Sequence, residues 1–506
     1  MYPRRFAAET PDKAAYVMAA SGEQVTYAAL EARANQVAHW LRAHGIAAGD
    51  VVALSVENHP RLYELIWGVQ RIGAHYLVTA TSLTERELDY LLRDAGARVA
   101  ILSATVLNRL GPGATSTAPV LRLDDDLVAA IRAFPRTPVA HETPGADMLY
   151  SSGTTGVPKG LKSPLPSTFE TPPRAVEIGS RFFGYAQDSV YLCPAPLYHA
   201  APLRWSLAIH RLGGTVVLME KFDAEAALAT IAQHRVTVAQ FVPTHLARML
   251  ALPAEVRARY DLSSLRSIIH AGAPCPVALK QQVIAWMGPI VHEFYSGTEG
   301  IGLTVATCED WLARPGTVGR AVQGEIRICD EAGEPVPVGE EGLVRFANPN
   351  PFSYHNDPER TADAYNQHGW PTLGDIGRVD SDGYLFLTDR ANFMIISGGV
   401  NIYPQEIENQ LLQHPEIADA AVIGLPDGEM GERVVALIEP RQWPVADEAA
   451  LATRLDAFAR TGLSAVKVPR RYVFRPSLDR TEAGKLVKRK LRDALLVSDR
   501  AAEMAA

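Results

Sequence analysis

The sequence predicts an α/β fold: a large N-terminal domain of α/β layers plus a small β region, followed by a small α+β C-terminal domain. Three observations predict it. Apolar strand-like runs alternate with amphipathic helical segments through the first part of the chain, as parallel strands joined by crossover helices do. After about Val305 the pattern shifts to short alternating runs broken by turn residues. From Gly399 a compact mixed pattern follows. With 506 residues, 47% of them apolar, the chain can build a large core and is too long for one ordinary domain.

Thr26 is a suitable N-cap for the helix "YAALEARANQVAHWLRAHG". Leu30, Ala34, Val37 and Leu41 recur there at helical spacing, and Gly45 suits the C-cap. "DVVALSVEN" reads as a buried strand, residues 60–71 as a helix and "AHYLVTA" as a strand. "TERELDYLLRDAG" follows as a helix and "ARVAILSA" as a strand. "ADMLY" is a short strand leading into a glycine-rich stretch. Beyond it, "GTVVLM" and "VTVAQFVP" are strands with the helix "AEAALATIAQH" between them. "GEIRICDEAGEPVPVGEEGLVRFAN" reads as hairpins and "GYLFLTDR" as one more strand. The last part gives helix "PQEIENQLLQH", strands "DAAVIGLP" and "RVVALIEP", and helix "ALATRLDAFAR". A boundary near 388–392 divides the chain into domains 1–390 and 391–506.

The bulk numbers exclude several classes. A net charge of -8 gives no footprint for nucleic acid; only the C-terminal end is basic. No run of about 18 apolar residues predicts a membrane span. The start, "MYPRRFAAETPDK", lacks the apolar segment of a signal peptide. Cys193, Cys275, Cys308 and Cys329 are scattered, with no CxxC and no HExxH in the chain, so neither a disulfide framework nor a zinc site is expected. The expectation is a soluble cytoplasmic protein, with a homodimer left open.

"YSSGTTGVPKG", starting at Tyr150, is the stretch that carries chemistry. Gly153 and Gly156 let the backbone bend and approach a ligand closely. Successive backbone N–H groups in such a turn make a concave anion site. Ser151, Ser152, Thr154 and Thr155 add hydroxyl donors, and Lys159 adds a compact positive charge. Together they suit a polyphosphate. Pro158 stands where a Walker A loop needs glycine. A surface linker has the same composition, so the loop alone leaves both readings open.

This stretch resembles the phosphate-binding signature of adenylate-forming enzymes: acyl-CoA synthetases, luciferases and peptide-synthetase adenylation domains. Other motifs of that superfamily follow in the same order. They are "PAPLYHAAP" at 194–202, "AGAPCP" at 271–276 and "FYSGTEG" at 294–300, then "GWPTLGDIGRVDSDGYLFLTDR" at 369–390. "MIISGGVNIYPQEIE" at 394–408 and "DRTEAGKLVKRKLRD" at 479–493 complete the set. The resemblance spans nearly the whole chain and is closest to acyl-CoA ligases of fatty-acid or aryl-acid type.

The resemblance implies the site. Gly272, Ala273 and Pro274 would flank adenine, and Tyr295 would stack on it, with Ser296 and Gly297 completing the turn. Taken alone, Tyr295 reads as a half-buried core tyrosine. Thr298 would bond the α-phosphate region, and Glu299 would bind Mg²⁺, a hard ion that prefers carboxylate oxygen. Asp375 and Arg390 would hold the ribose. Lys485 would bridge the substrate carboxylate and the α-phosphate, offsetting charge in the transition state. Lys488, Arg489, Lys490 and Arg492 beside it read as a basic helix face, with Val487, Leu491 and Leu495 as its apolar stripe. His199 would gate the acyl pocket, whose walls Trp205, Phe241 and Val242, with Gly297, suit a bulky apolar acid. Asn392 would be the hinge of a mobile C-terminal domain, and Gly398 and Gly399 would border a coenzyme A tunnel.

Four positions depart from the superfamily pattern around the nucleotide and the lysine: Leu373 and Pro371 in the ribose segment, Asn392 and Phe393 after Arg390. Asp479 is a fifth, beside the lysine segment. The implied activity is an AMP-forming acyl-CoA ligase using ATP, Mg²⁺ and coenzyme A. The alternatives are an enzyme working mainly on the acyl-adenylate to thioester half, or a member that binds nucleotide without turnover. A peptide-synthetase domain fits less well, because the chain ends soon after Lys485.

Overall fold

The computed structural model describes residues 3–111, 117–151, 158–390, 393–397, 400–427, 430–478, 480 and 486–505. The Thr26 hydroxyl accepts from Ala29 N at 3.2 Å and starts the helix Tyr27–Ala43. Leu30, Ala34, Val37 and Leu41 are all buried on that helix, as their spacing requires. Thr84 and Glu87 form a reciprocal capping box at the start of Glu85–Ala95, and Gly96 closes that helix in the left-handed region (φ 62°).

The chain divides into two compact units. The first comprises Met1–Ala271, Val283–Gly300 and Pro351–Asp363; the second comprises Gly272–Gln282, Ile301–Asn350 and Ala364–Ala506. In the first unit, one sheet runs in the order Val120–Leu123, Ala97–Ser103, Val51–Ser55, His75–Val78, Ala146–Ser151, Lys159–Lys162. Its first five strands are parallel; the last is antiparallel. Helices cover it, which is why Val51–Ser55 and His75–Val78 are buried end to end and read as unbroken apolar runs. A second sheet of this unit places Ser267–His270 parallel to both Val238–Phe241 and Val291–Ser296.

The second unit holds the antiparallel β region. Glu325–Cys329 pairs with Gly342–Ala347, which pairs with Thr372–Val379, which pairs with Leu385–Arg390. Its C-terminal part packs Ile417–Asp427 against Gly431–Pro440, with Arg471–Phe474 parallel to the latter. Side-chain alternation splits these strands between two cores. Val422, Val434 and Ala436 face the helices Pro404–Leu411 and Glu448–Gly462, through Ile407, Leu411, Leu451 and Leu455. Ala421, Ile423, Val435 and Leu437 face Leu478 and Leu495.

One expectation is corrected here. Lys488 is not part of a solvated basic face. It is buried, and its Nζ lies 2.7 Å from Glu408 Oε1. The helix Lys488–Ala505 turns this first residue inward, while Arg489 and Arg492 stay at the surface facing Asp493 and Glu432. No helix among the described residues is long and apolar enough to cross a membrane.

Candidate active site

The glycine-rich stretch connects two antiparallel strands. Ser151 is the register partner of Lys159, and Tyr150 of Gly160, so the two ends of the loop are held opposite each other. Ser152, Gly153, Thr154, Thr155 and Gly156 lie outside the described residues, as do Asn392, Gly398, Gly399, Asp479 and Lys485. The hairpin is pinned at its start by Tyr150, whose hydroxyl donates to Asp94 Oδ2 at 2.6 Å. Burial and that carboxylate push the phenol pKa up, so it stays a donor.

The strand that enters the loop carries an ion pair that the sequence did not announce, between buried Asp147 and half-buried Arg204. Arg204 Nε donates to Asp147 Oδ2 at 2.7 Å, and Ser163 Oγ donates to the other carboxylate oxygen. Burial alone would push the Asp147 carboxyl up. The adjacent guanidinium outweighs it and holds the group below the usual range.

His199 stands at the N-terminus of the helix Ala200–Leu212, half-buried, with its ring 4.3 Å from that of Tyr198. The preceding loop is fixed by buried Asn58. Its side chain accepts from Leu197 N at 3.0 Å and donates to the carbonyls of Ala195 and Met219. Trp205, six residues further on, is 4% exposed and packs edge-on against Phe183, Tyr185 and Phe294. Phe241 is fully buried, whereas Val242 at the next helix start is half-buried. Trp205 and Phe241 therefore belong to the packed body of the unit.

Tyr295 and Ser296 end the strand Val291–Ser296, and Gly297 to Gly300 form a tight turn in which Gly300 N donates to Gly297 O. All of Tyr295, Ser296, Gly297, Thr298 and Glu299 are half-buried. Glu299 Oε1 accepts from the Tyr354 hydroxyl at 3.0 Å. A half-buried carboxylate on a turn suits magnesium, which takes one or two protein carboxylates plus substrate phosphate oxygens. Gly272 follows the neighbouring parallel strand Ser267–His270 with φ 85°, a left-handed conformation that side chains resist. Ala273 and Pro274 continue that turn.

Asp375 and Arg390 are brought together. They are register partners on adjacent antiparallel strands, and Arg390 Nε lies 3.0 Å from Asp375 Oδ1. Asp375 is buried while Arg390 reaches solvent. The hydroxyl that Leu373 lacks is supplied one residue earlier. Thr372 Oγ1 accepts from Gly374 N at 2.9 Å and donates to Val344 O at 2.7 Å, so the turn into Asp375 keeps its hydrogen bonds.

Two family models match the chain in order: AMP-binding enzyme over residues 3–354, and AMP-binding enzyme C-terminal domain over residues 406–485. The chain belongs to the AMP-binding enzyme family. Within this family it is 33% identical to a long-chain-fatty-acid–CoA ligase of Mycobacterium tuberculosis, over 97% of each chain. It is 36% identical to the feruloyl-CoA synthase of an Amycolatopsis species, over 93% of this chain and 94% of that one. ATP-bound MatB from Rhodopseudomonas palustris superposes with a TM-score of 0.82 at 28% identity, covering 98% and 99% of the two chains. The adenylate-forming family and the α/β architecture expected from the sequence are thus borne out.

Four residues of interest were missed by the motif reading: Asp94, Asp147, Arg204 and Tyr354. Asp147 had a local signal, being the one charge in the apolar run "ADMLY". The other three had none.

Proposed function

We propose that this chain is an AMP-forming acyl-CoA ligase acting on a bulky apolar carboxylic acid. The observation that carries the reading is that the chain aligns over 97% and 93% of its length with relatives named as a long-chain-fatty-acid–CoA ligase and a feruloyl-CoA synthase. In the first half-reaction the acid's carboxylate attacks the α-phosphorus of ATP, and pyrophosphate leaves. In the second, the coenzyme A thiol attacks the acyl carbonyl, and AMP leaves.

The hydroxyls of Ser151, Ser152, Thr154 and Thr155, the backbone at Gly153 and Gly156, and the Lys159 ammonium hold the triphosphate. Asp375 accepts from the ribose hydroxyls, with Arg390 beside it. Tyr295, Ser296 and Gly297 face adenine with Gly272, Ala273 and Pro274. Thr298 would donate to the α-phosphate, and Glu299 would hold the magnesium ion, which would supply charge neutralisation for the phosphates. Lys485 approaches the reacting carboxylate and offsets charge as it builds. His199 gates the acyl pocket, backed by Trp205, Phe241 and Val242. For the second half-reaction, domain 391–506 turns about Asn392, withdraws Lys485 and brings Gly398 and Gly399 to the thiol's path. Because ATP and coenzyme A are cytoplasmic substrates, a cytoplasmic location fits this reading.

The test is pyrophosphate release with a panel of acids, with and without coenzyme A. Bulky apolar acids should give the highest kcat/KM. A best kcat/KM for acetate or an amino acid would sink the substrate assignment. Pyrophosphate release that never leads to a thioester would sink the ligase.

A further inference from the structure

Tyr354 lies outside every motif that the sequence singled out, yet one side chain touches two proposed site residues. The Lys159 ammonium sits over its ring face, 4.5 Å from the centroid. Its hydroxyl donates to Glu299 Oε1 at 3.0 Å. So a single phenol meets both the cation assigned to the triphosphate and the carboxylate assigned to the metal.

The ring is held from its own backbone. Tyr354 N donates to Thr361 Oγ1 at 2.9 Å, and His355 N donates to Gly160 O at 2.7 Å. The carbonyl of Asp94 lies 3.0 Å from His355 Nε2 and accepts from Asn356 Nδ2 at 3.0 Å. The same Asp94, through its carboxylate, holds Tyr150 on the other strand of the hairpin. Gly160 leaves little room for a side chain, since a Cβ there would stand 3.1 Å from both His355 Cβ and the Tyr150 ring and a neighbour would have to give way. The segment 354–356 is thereby strapped onto the exit strand of the phosphate loop.

Two physical effects work together at this phenol. An ammonium over an aromatic face is attracted by the ring's negative quadrupole. Donation of the hydroxyl proton to a carboxylate pushes electron density into the ring and strengthens that attraction, as neighbouring polar contacts polarise one another. The phenol also touches opposite charges on two flexible side chains and so restricts where each can sit.

We propose that Tyr354 is a positioning residue for adenylate formation: it restricts and orients Lys159 and Glu299, so that magnesium-bound ATP meets both charges already in place. The inference rests on the ligase reading above. Two variants test it. Tyr354→Phe keeps the ring and loses the hydroxyl; Tyr354→Leu loses both. ATP binding is followed by calorimetry across a magnesium series, alongside pyrophosphate release, thioester formation from synthetic acyl-adenylate, and Tm.

Losing a hydrogen bond to a charged group should raise the magnesium concentration needed for half-maximal ATP binding and adenylation by about three- to tenfold in Tyr354→Phe. Thioester formation from acyl-adenylate should change by less than about twofold, since adenylation alone uses the intact triphosphate. Tyr354→Leu should in addition weaken ATP binding without metal, because the Lys159 contact is gone. A wild-type magnesium dependence in Tyr354→Phe overturns the proposal. So does an equal fall of both half-reactions together with Tm, which marks a packing residue. So does wild-type protein whose ATP binding ignores magnesium. If wild-type protein binds magnesium ATP but releases no pyrophosphate with any acid, the ligase reading fails alone, and calorimetry still decides the role of Tyr354.

Discussion

Two buried carboxylates, one on the strand that enters the glycine-rich hairpin and one in the C-terminal part, are each paired with a cation and answer the same problem with opposite electrostatic results. Asp147 is paired with Arg204 and held below the usual carboxylate range. Glu408 is paired with Lys488 and pushed above it, because burial outweighs the ammonium. The partners explain the difference. Asp147 faces a guanidinium and also accepts from Ser163 Oγ. Glu408 faces a single ammonium, which also lies over the Phe393 ring, and accepts from Val422 N at 2.7 Å. The lesson is that a charge pair is set by everything that satisfies it, and that burial can defeat a good contact.

The largest expected effect breaks the first pair. Arg204→Leu strands a buried carboxylate and should cost about 3 kcal/mol of unfolding stability, read by denaturant titration. An unchanged midpoint would mean that solvent already shields Asp147. The next contrast lies within one stretch of sequence, between Lys485 and Lys488. Lys485→Ala should slow adenylation about a hundredfold with Tm unchanged, since one transition-state donor is worth roughly 3 kcal/mol. It should spare transfer from preformed acyl-adenylate. Lys488→Met should instead lower Tm and reduce both halves together. Identical behaviour of the two variants would erase the distinction between a reacting and a structural lysine.

A smaller effect reads the opposite signs directly. The Asp147 pKa is depressed on folding, so its contribution is present above the unfolded carboxylate range and is lost as pH falls through the folded value. The Glu408 pKa is raised, so its contribution is present below the unfolded value and is lost as pH rises through the folded one. Asp147→Asn should therefore flatten the acid limb of stability against pH, while Glu408→Gln should flatten the decline above the ordinary glutamate value. The same limb responding to both substitutions would refute the contrast. The smallest effect is Ser163→Ala, which removes one donor to Asp147 and should cost about 1 kcal/mol at neutral pH. It should also shift the acid limb upward in pH. No shift would leave Arg204 as the dominant cause of the depressed pKa.

Much of the candidate site was legible because its signals are short-range. The run from Tyr150 to Gly160 declares its glycines, hydroxyls and lysine within a few residues. Asp375 and Arg390 were both readable, each in its own motif. That they form a cross-strand ion pair was not, because register depends on how the strands from Thr372 and Leu385 align. That Lys488 turns inward, unlike its basic neighbours, was not readable, because a run of basic residues looks the same whichever residue the helix buries. Leu373 departs from the superfamily pattern, yet the turn keeps a hydroxyl because Thr372 bonds it from one residue earlier.

The sequence by itself determined the order of strands and helices, the two family modules and the chemical types at each motif. Period-2 and period-3.6 patterning and capping residues act between near neighbours, so they can be read from a linear string. Tertiary structure alone decided which residues stand behind those motifs: Asp94 under Tyr150, Asp147 under Arg204, Asn58 under the loop before His199, Tyr354 against Lys159 and Glu299. These contacts join positions far apart in the chain. They exist only once loop closure has been offset by burial of the sheets between them, and no local pattern records which distant partner will be met.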